Sequence, residues 1–158
     1  MKADMTVVDE NAKQAQRKAA MAVLAHSDAA EIARRLEPIA VPGYENLREP
    51  ENGLVMLRGR AGSAGERFNL GEMTLTRCVL RIETGEVGVA YVKGRSERKA
   101  ELAALADALL QAAPWREAVR RRLIEPVRAH LEAESTRERH KAQATRVEFF
   151  TLAREAAE

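Results

Sequence analysis

The sequence predicts an α+β fold, with an antiparallel β-meander of about four or five strands and amino- and carboxyl-terminal helices packed on it. Three observations carry this expectation. Residues 74–83 alternate strictly, Thr76, Cys78, Leu80 and Ile82 facing one way and Leu75, Arg77, Val79 and Arg81 the other. The apolar runs around them are joined by connections too short for parallel crossovers. Both flanks carry apolar residues at helical spacing instead.

Taken in order, residues 1–9 read as a flexible tail, and residues 10–158 as a single domain. Residues 10–25 are rich in Ala, Lys and Gln, which favour helix, and Met21, Leu24 and Ala25 share a face. Asp28 with Glu31 resembles a capping box that opens a second helix with the stripe Ala29, Ile32 and Leu36. Pro38 and Val41-Pro42-Gly43 end it. Residues 53–60 and 66–70 are candidate strands ahead of the one at 74–83. Thr84-Gly85-Glu86 is a turn with glycine where a left-handed residue is wanted, and Val87, Val89 and Tyr91 alternate after it.

Gly94 closes the meander, and Ser96 is placed to cap a helix reaching about Ala113. Its buried stripe is Leu102, Leu105, Ala106 and Leu109. Pro114 breaks that helix. Trp115, Val119, Leu123, Val127 and Leu131 form the next row, which Pro126 should kink or divide. A polar stretch follows from Glu132 to Gln143. In residues 145–152, Val147, Phe149 and Thr151 alternate as in an added strand, although Thr145 with Glu148 also fits a helix start.

Composition narrows the function classes. Aromatics are 4 % of the 158 residues, so aliphatic side chains must fill the core, and charged residues reach 32 %, as in long solvated helices or a partner surface. With 26 basic against 24 acidic residues, the formal net charge of +2 gives no global attraction to nucleic acid. A single cysteine, Cys78, excludes an intrachain disulfide. No apolar run approaches the roughly 20 residues of a membrane span, and the opening residues lead to no signal-type stretch. The expectation is a cytoplasmic protein that contacts neither membrane nor nucleic acid.

Few residues promise chemistry. His26, His130 and His140 are far apart and in no metal-binding spacing. Cys78 lies on an apolar strand face and reads as a packed thiol. The stretch from Gly59 to Gly65 is glycine-rich, and backbone amides in such loops bind anions. It lacks the ending of a nucleotide loop and joins two strands, so a hairpin loop is the plainer reading. Arg116, Arg120, Arg121, Arg122 and Arg128 form a basic cluster suited to a solvated face or a protein partner. Arg77, half-buried on its strand, needs an acid or phosphate partner, with Glu72 and Glu83 as local candidates and a partner subunit as another.

An ordered set of pieces resembles the PhnG family, the G subunit of the carbon–phosphorus lyase system. They are Gly53-Leu54-Val55-Met56, Arg58-Gly59-Arg60, the stretch from Gly62 to Gly65, Phe68-Asn69-Leu70-Gly71-Glu72 and Thr74-Leu75-Thr76-Arg77-Cys78. Gly88, Tyr91 and Gly94-Arg95 follow, then the helix of residues 100–111 and the motif of residues 145–151; Met21 to His26 resembles the family's early helix. The resemblance spans roughly residues 20–155. Two departures stand out: Ser63 and Ala64 interrupt what is often an unbroken run of glycines, and Lys99 occupies a position where the family often has histidine.

The resemblance implies an accessory subunit that supports the I subunit beside H and J, with an L protein also assisting. In that system the I subunit transfers a phosphonate to the ribose of MgATP and displaces adenine, and J later cleaves the carbon–phosphorus bond with an iron–sulfur cluster. It further implies that this chain holds no cofactor or metal and no catalytic residue, MgATP being a substrate of the complex. Arg60, Gly62, Gly65, Glu72, Thr76 and Arg77 are then interface residues or, alternatively, phosphate contacts. The competing classes are a free-standing enzyme acting on a phosphoester and a free-standing basic module binding nucleic acid or an anion.

Overall fold

The computed structural model describes residues 3–146 other than residue 63, with side chains from Asn11 onward. The order is α1 (Ala3–His26), α2 (Ala29–Leu36), β1 (Tyr44–Arg60), β2 (Arg67–Ile82), β3 (Val87–Lys93), α3 (Glu97–Gln111), α4 (Ala113–Val119), a π-helical turn (Arg120–Ile124) and α5 (Glu125–Ala144). The class is the expected α+β, with a fully antiparallel sheet ordered β1-β2-β3.

The sheet has three strands instead of four or five. The candidate strands at 66–70 and 74–83 are one strand, β2, continuous through Gly71, whose φ of +148° accompanies a register irregularity opposite Leu57 and Arg58. Such an irregularity bends a strand without ending it. The run at 53–60 is likewise the far half of a 17-residue strand, β1. Pro50 interrupts the sequence pattern but not the strand. It lies on an edge strand at the break in register between Arg48 and Glu51, where no ladder N–H is required of it. The segment expected as a further strand, residues 145–152, falls almost wholly outside the described residues.

The helix expected over 10–25 starts at Ala3, so the backbone of residues 3–9, read as a tail, is helical. Neither expected side-chain cap forms. Asp28 and Ser96 do stand at N-cap positions without donating or accepting a cap bond. Glu31 is instead drawn one turn on to Arg35, at 2.9 Å.

Pro126 acts as expected, by a specific device. It has no N–H for the carbonyl of Arg122, and just before it the chain widens: the cap N–H of Glu125 reaches the carbonyl of Arg120, five residues back. Arg35 Nη1 donates to the Arg122 carbonyl at 3.2 Å, tying α2 to the turn.

The core lies between one sheet face and the helices. Thr76, Cys78, Leu80 and Ile82 of β2 and Ala90 and Val92 of β3 are buried beneath α3, whose residues 102–109 are all buried. Gly88 permits this contact: a Cβ there would lie 1.9 Å from the Ala104 carbonyl oxygen. Around α3 gather Leu24, Ile32, Val119, Leu123 and Val127. The opposite sheet face, with Val79, Val87, Val89 and Tyr91, carries no second layer among the described residues.

Candidate functional site

β3 pairs with β2 only as far as Leu75 opposite Lys93. Beyond that point β1 and β2 continue alone, from Gly53 opposite Leu75 to Arg60 opposite Arg67. At about 3.3 Å per residue this two-stranded arm projects roughly 25 Å from its root. Its flanks are apolar and, among the described residues, uncovered. Leu54 is 65 % exposed and Leu70 61 %, and Val55, Met56, Leu57 and Phe68 are exposed as well. A contiguous apolar surface of this kind marks a contact site. Alternation carries Leu54, Met56, Arg58 and Arg60 along the face that α3 covers at the root, and Val55 and Leu57 along the other. Gly59 admits Leu70 across the strand, since a Cβ there would lie 2.5 Å from Leu70 Cδ1.

The sequence-predicted residues divide between the two ends of the arm. Arg60, Gly62 and Gly65 are at the tip. Gly62 takes φ +70°, and a Cβ on Gly65 would strike the Ala61 carbonyl oxygen at 2.2 Å, so both glycines are required by the turn. Glu72 lies mid-arm opposite Met56, exposed. Thr76 and Arg77 are at the root, on opposite faces. No single site gathers the six.

Thr76 is fully buried and ties three elements. Its hydroxyl lies 2.7 Å from the Gly94 carbonyl and 2.9 Å from Asn52 Oδ1, and it accepts the Ser96 N–H at 3.0 Å. Arg77 faces the uncovered side and donates through Nε to Glu51 at 2.7 Å. Neither expected acid is its partner: Glu51, directly across the ladder, is closer than Glu72 or Glu83 can be.

The strongest polar cluster was not foreseen. Asp107, 1 % exposed on α3, accepts Arg17 Nε at 2.8 Å and Nη2 at 2.6 Å and the Val89 N–H at 2.9 Å. The carboxylate beside it raises the already high affinity of the Arg17 guanidinium for its proton. Gln111 extends the group by donating to the Val87 carbonyl at 2.8 Å. This arrangement fixes α1 and β3 to α3. Cys78 is buried with its Sγ 3.6 Å from the Arg48 carbonyl. Burial, with Glu101 and Glu49 adding to it, pushes the thiol up to about 11. It is a protonated, packed group at neutral pH.

Two of the five arginines of the basic cluster are engaged. Arg116 donates to the carbonyls of Leu110 and Gln111 at the end of α3, and Arg120 pairs with Glu117 and Glu125. His26 bonds the Ala22 carbonyl and His130 lies 3.4 Å from Glu134. Among the described residues no three His, Cys, Asp or Glu side chains converge as a metal site, and no helix is long and apolar enough to cross a membrane.

The residues that build the arm and its root, 53–78, are also those by which the sequence resembles a known family, and direct comparison settles the relationship. A family model described as phosphonate metabolism protein PhnG matches residues 15–155. The chain belongs to the PhnG family. A PhnG relative from Rhizobium meliloti (strain 1021), alpha-D-ribose 1-methylphosphonate 5-triphosphate synthase subunit PhnG, is 41 % identical over 152 residues. That alignment covers 96 % of this chain and 97 % of the relative. Lys99 donates to the Ala25 carbonyl at 2.7 Å and so caps the end of α1. Burial lowers its affinity for the proton, and Asp28 partly opposes that.

Proposed function

We propose that this chain is an accessory subunit of an α-D-ribose 1-methylphosphonate 5-triphosphate synthase and docks through its β-arm on the I subunit, with H and J in the same core. The assembly transfers a phosphonate to the ribose of MgATP and releases adenine in the cytoplasm. The chain itself contributes contact surface and no cofactor. The arm carries this reading: nothing among the described residues covers this apolar two-stranded projection, and a larger partner supplies the cover. Thr76 and Cys78 support it too, since both are committed to internal packing. So does the relative's description as a synthase subunit.

The test is co-expression with the I subunit. Adenine release from MgATP and methylphosphonate is expected from the assembly and not from this chain alone. Leu54→Glu or Leu70→Glu should abolish co-purification while leaving the isolated chain folded by circular dichroism. Adenine release by the isolated chain, or full assembly by both variants, would refute the proposal.

A further inference from the structure

We infer that the end of the arm is a polyphosphate clasp, in which Arg58, Arg60 and Arg67 hold the triphosphate of the nucleotide processed by the assembly. The inference rests on the reading of the chain as a synthase subunit and adds to it a ligand and three named residues. Its basis is a contrast within one sheet. Where β2 carries an arginine near the body, β1 answers with a carboxylate directly opposite: Glu51 faces Arg77 and Glu45 faces Arg81, and both pairs form ion pairs. At the last rung of the same ladder, Arg60 faces Arg67. Like charges directly opposite oppose strand pairing. Two residues before Arg60, and so on the same face, stands Arg58, opposite Asn69. All three arginines are exposed, and none has an ion-pair partner among the described residues, although Glu66 is adjacent in sequence.

A bound anion removes the repulsion and turns the cluster to use. A triphosphate suits it better than protein carboxylates. It places several negative charges and many acceptor oxygens within a few ångströms, and guanidinium forks match phosphate oxygens in pairs. The clasp also lies beyond the apolar part of the arm, roughly 25 Å from the root, so docking of the apolar flanks carries it deep into the partner. Gly62 adds an open backbone at the turn, with nothing within 4 Å of where a Cβ would be.

The test uses the assembled complex with Arg60→Ala/Arg67→Ala, Arg60→Lys/Arg67→Lys and, as a single-charge control on the body, Arg121→Ala. Assembly is followed by size-exclusion chromatography, MgATP kinetics by adenine release, and inorganic tripolyphosphate binding by calorimetry. The alanine pair should assemble normally yet raise KM for MgATP and Kd for tripolyphosphate at least tenfold. The lysine pair should recover part of both, and Arg121→Ala should change neither. Unchanged KM and Kd in the alanine pair would overturn the clasp. So would loss of assembly with MgATP affinity intact in the residual complex, since the arginines would then be meeting acidic protein. If the parent assembly releases no adenine, the synthase reading fails, and the tripolyphosphate titration still decides the clasp: binding lost in the alanine pair supports it and equal binding overturns it.

Discussion

Asp107 and Cys78 are buried for different reasons, and substitution separates them. Arg17→Ala leaves the Asp107 carboxylate, 1 % exposed, without its cation, and stranding a buried charge costs about 3–5 kcal/mol. Asp107→Ala strands the Val89 N–H but leaves a guanidinium that is 43 % exposed and open to water, and that variant should lose roughly half as much. Urea denaturation of the two variants should give that order, and the reverse order would show that the Val89 N–H, and not the ion pair, carries the loss. Cys78 predicts a pH effect. Its thiol titrates at about 11 in the folded chain against an ordinary value of 9.0. Between those values the unfolded chain has released the proton and the folded chain retains it. Stability therefore falls as pH rises from about 9 to about 11, by roughly 2 kcal/mol in all. Cys78→Ala should flatten that limb of the stability curve, and an unchanged limb would place its origin in other groups.

The elements show where local signals reach their limit. Alternation across 74–83 gave the buried face of β2 correctly, including Thr76, because a period of two depends only on neighbours in the chain. The same reasoning opened a strand at residue 53 and ended another at residue 70, where pairing with the opposite strand carries the backbone through. Strand length is set across the ladder, which a single run of residues does not display. The partners of Arg77 and Asp107 were hidden for the same cause: Glu51 is 26 residues away and Arg17 is 90. Arg60 was legible as a candidate, but its opposition to Arg67 appeared only with the register. Two predictions belong here. Gly88→Ala forces α3 off β3, because the new methyl would meet backbone, and should cost at least 2 to 3 kcal/mol, read from the thermal midpoint. Replacing the arm beyond Gly53 and Leu75 by a two-residue turn should leave that midpoint nearly unchanged, since the core contains none of the removed residues. A collapse of the fold would show that the arm supports the body.

At the scale of the whole molecule, the near balance of charge conceals a division of labour. Near the body, Arg77 and Arg81 of the sheet meet carboxylates and Arg17 meets Asp107, and the arm leaves three arginines of its own unanswered at one end among the described residues. The two kinds of contact should respond differently to salt. Raising sodium chloride to about 0.5 M shortens electrostatic reach to a few ångströms and hardly weakens apolar burial. The assembly should therefore persist on a sizing column while KM for MgATP rises. Dissociation in salt would mean that charge, and not the apolar flanks, joins the subunits.

The arm also bears on the life of the chain before it meets its partner. A newly made copy displays a strip of aliphatic side chains of the kind that chaperones and proteases sample in non-native proteins. Surplus copies should then be removed faster than engaged ones, which would tie the standing amount of this polypeptide to the supply of its companion. Pulse-labelled cells lacking the companion should clear it several times faster than cells that make both.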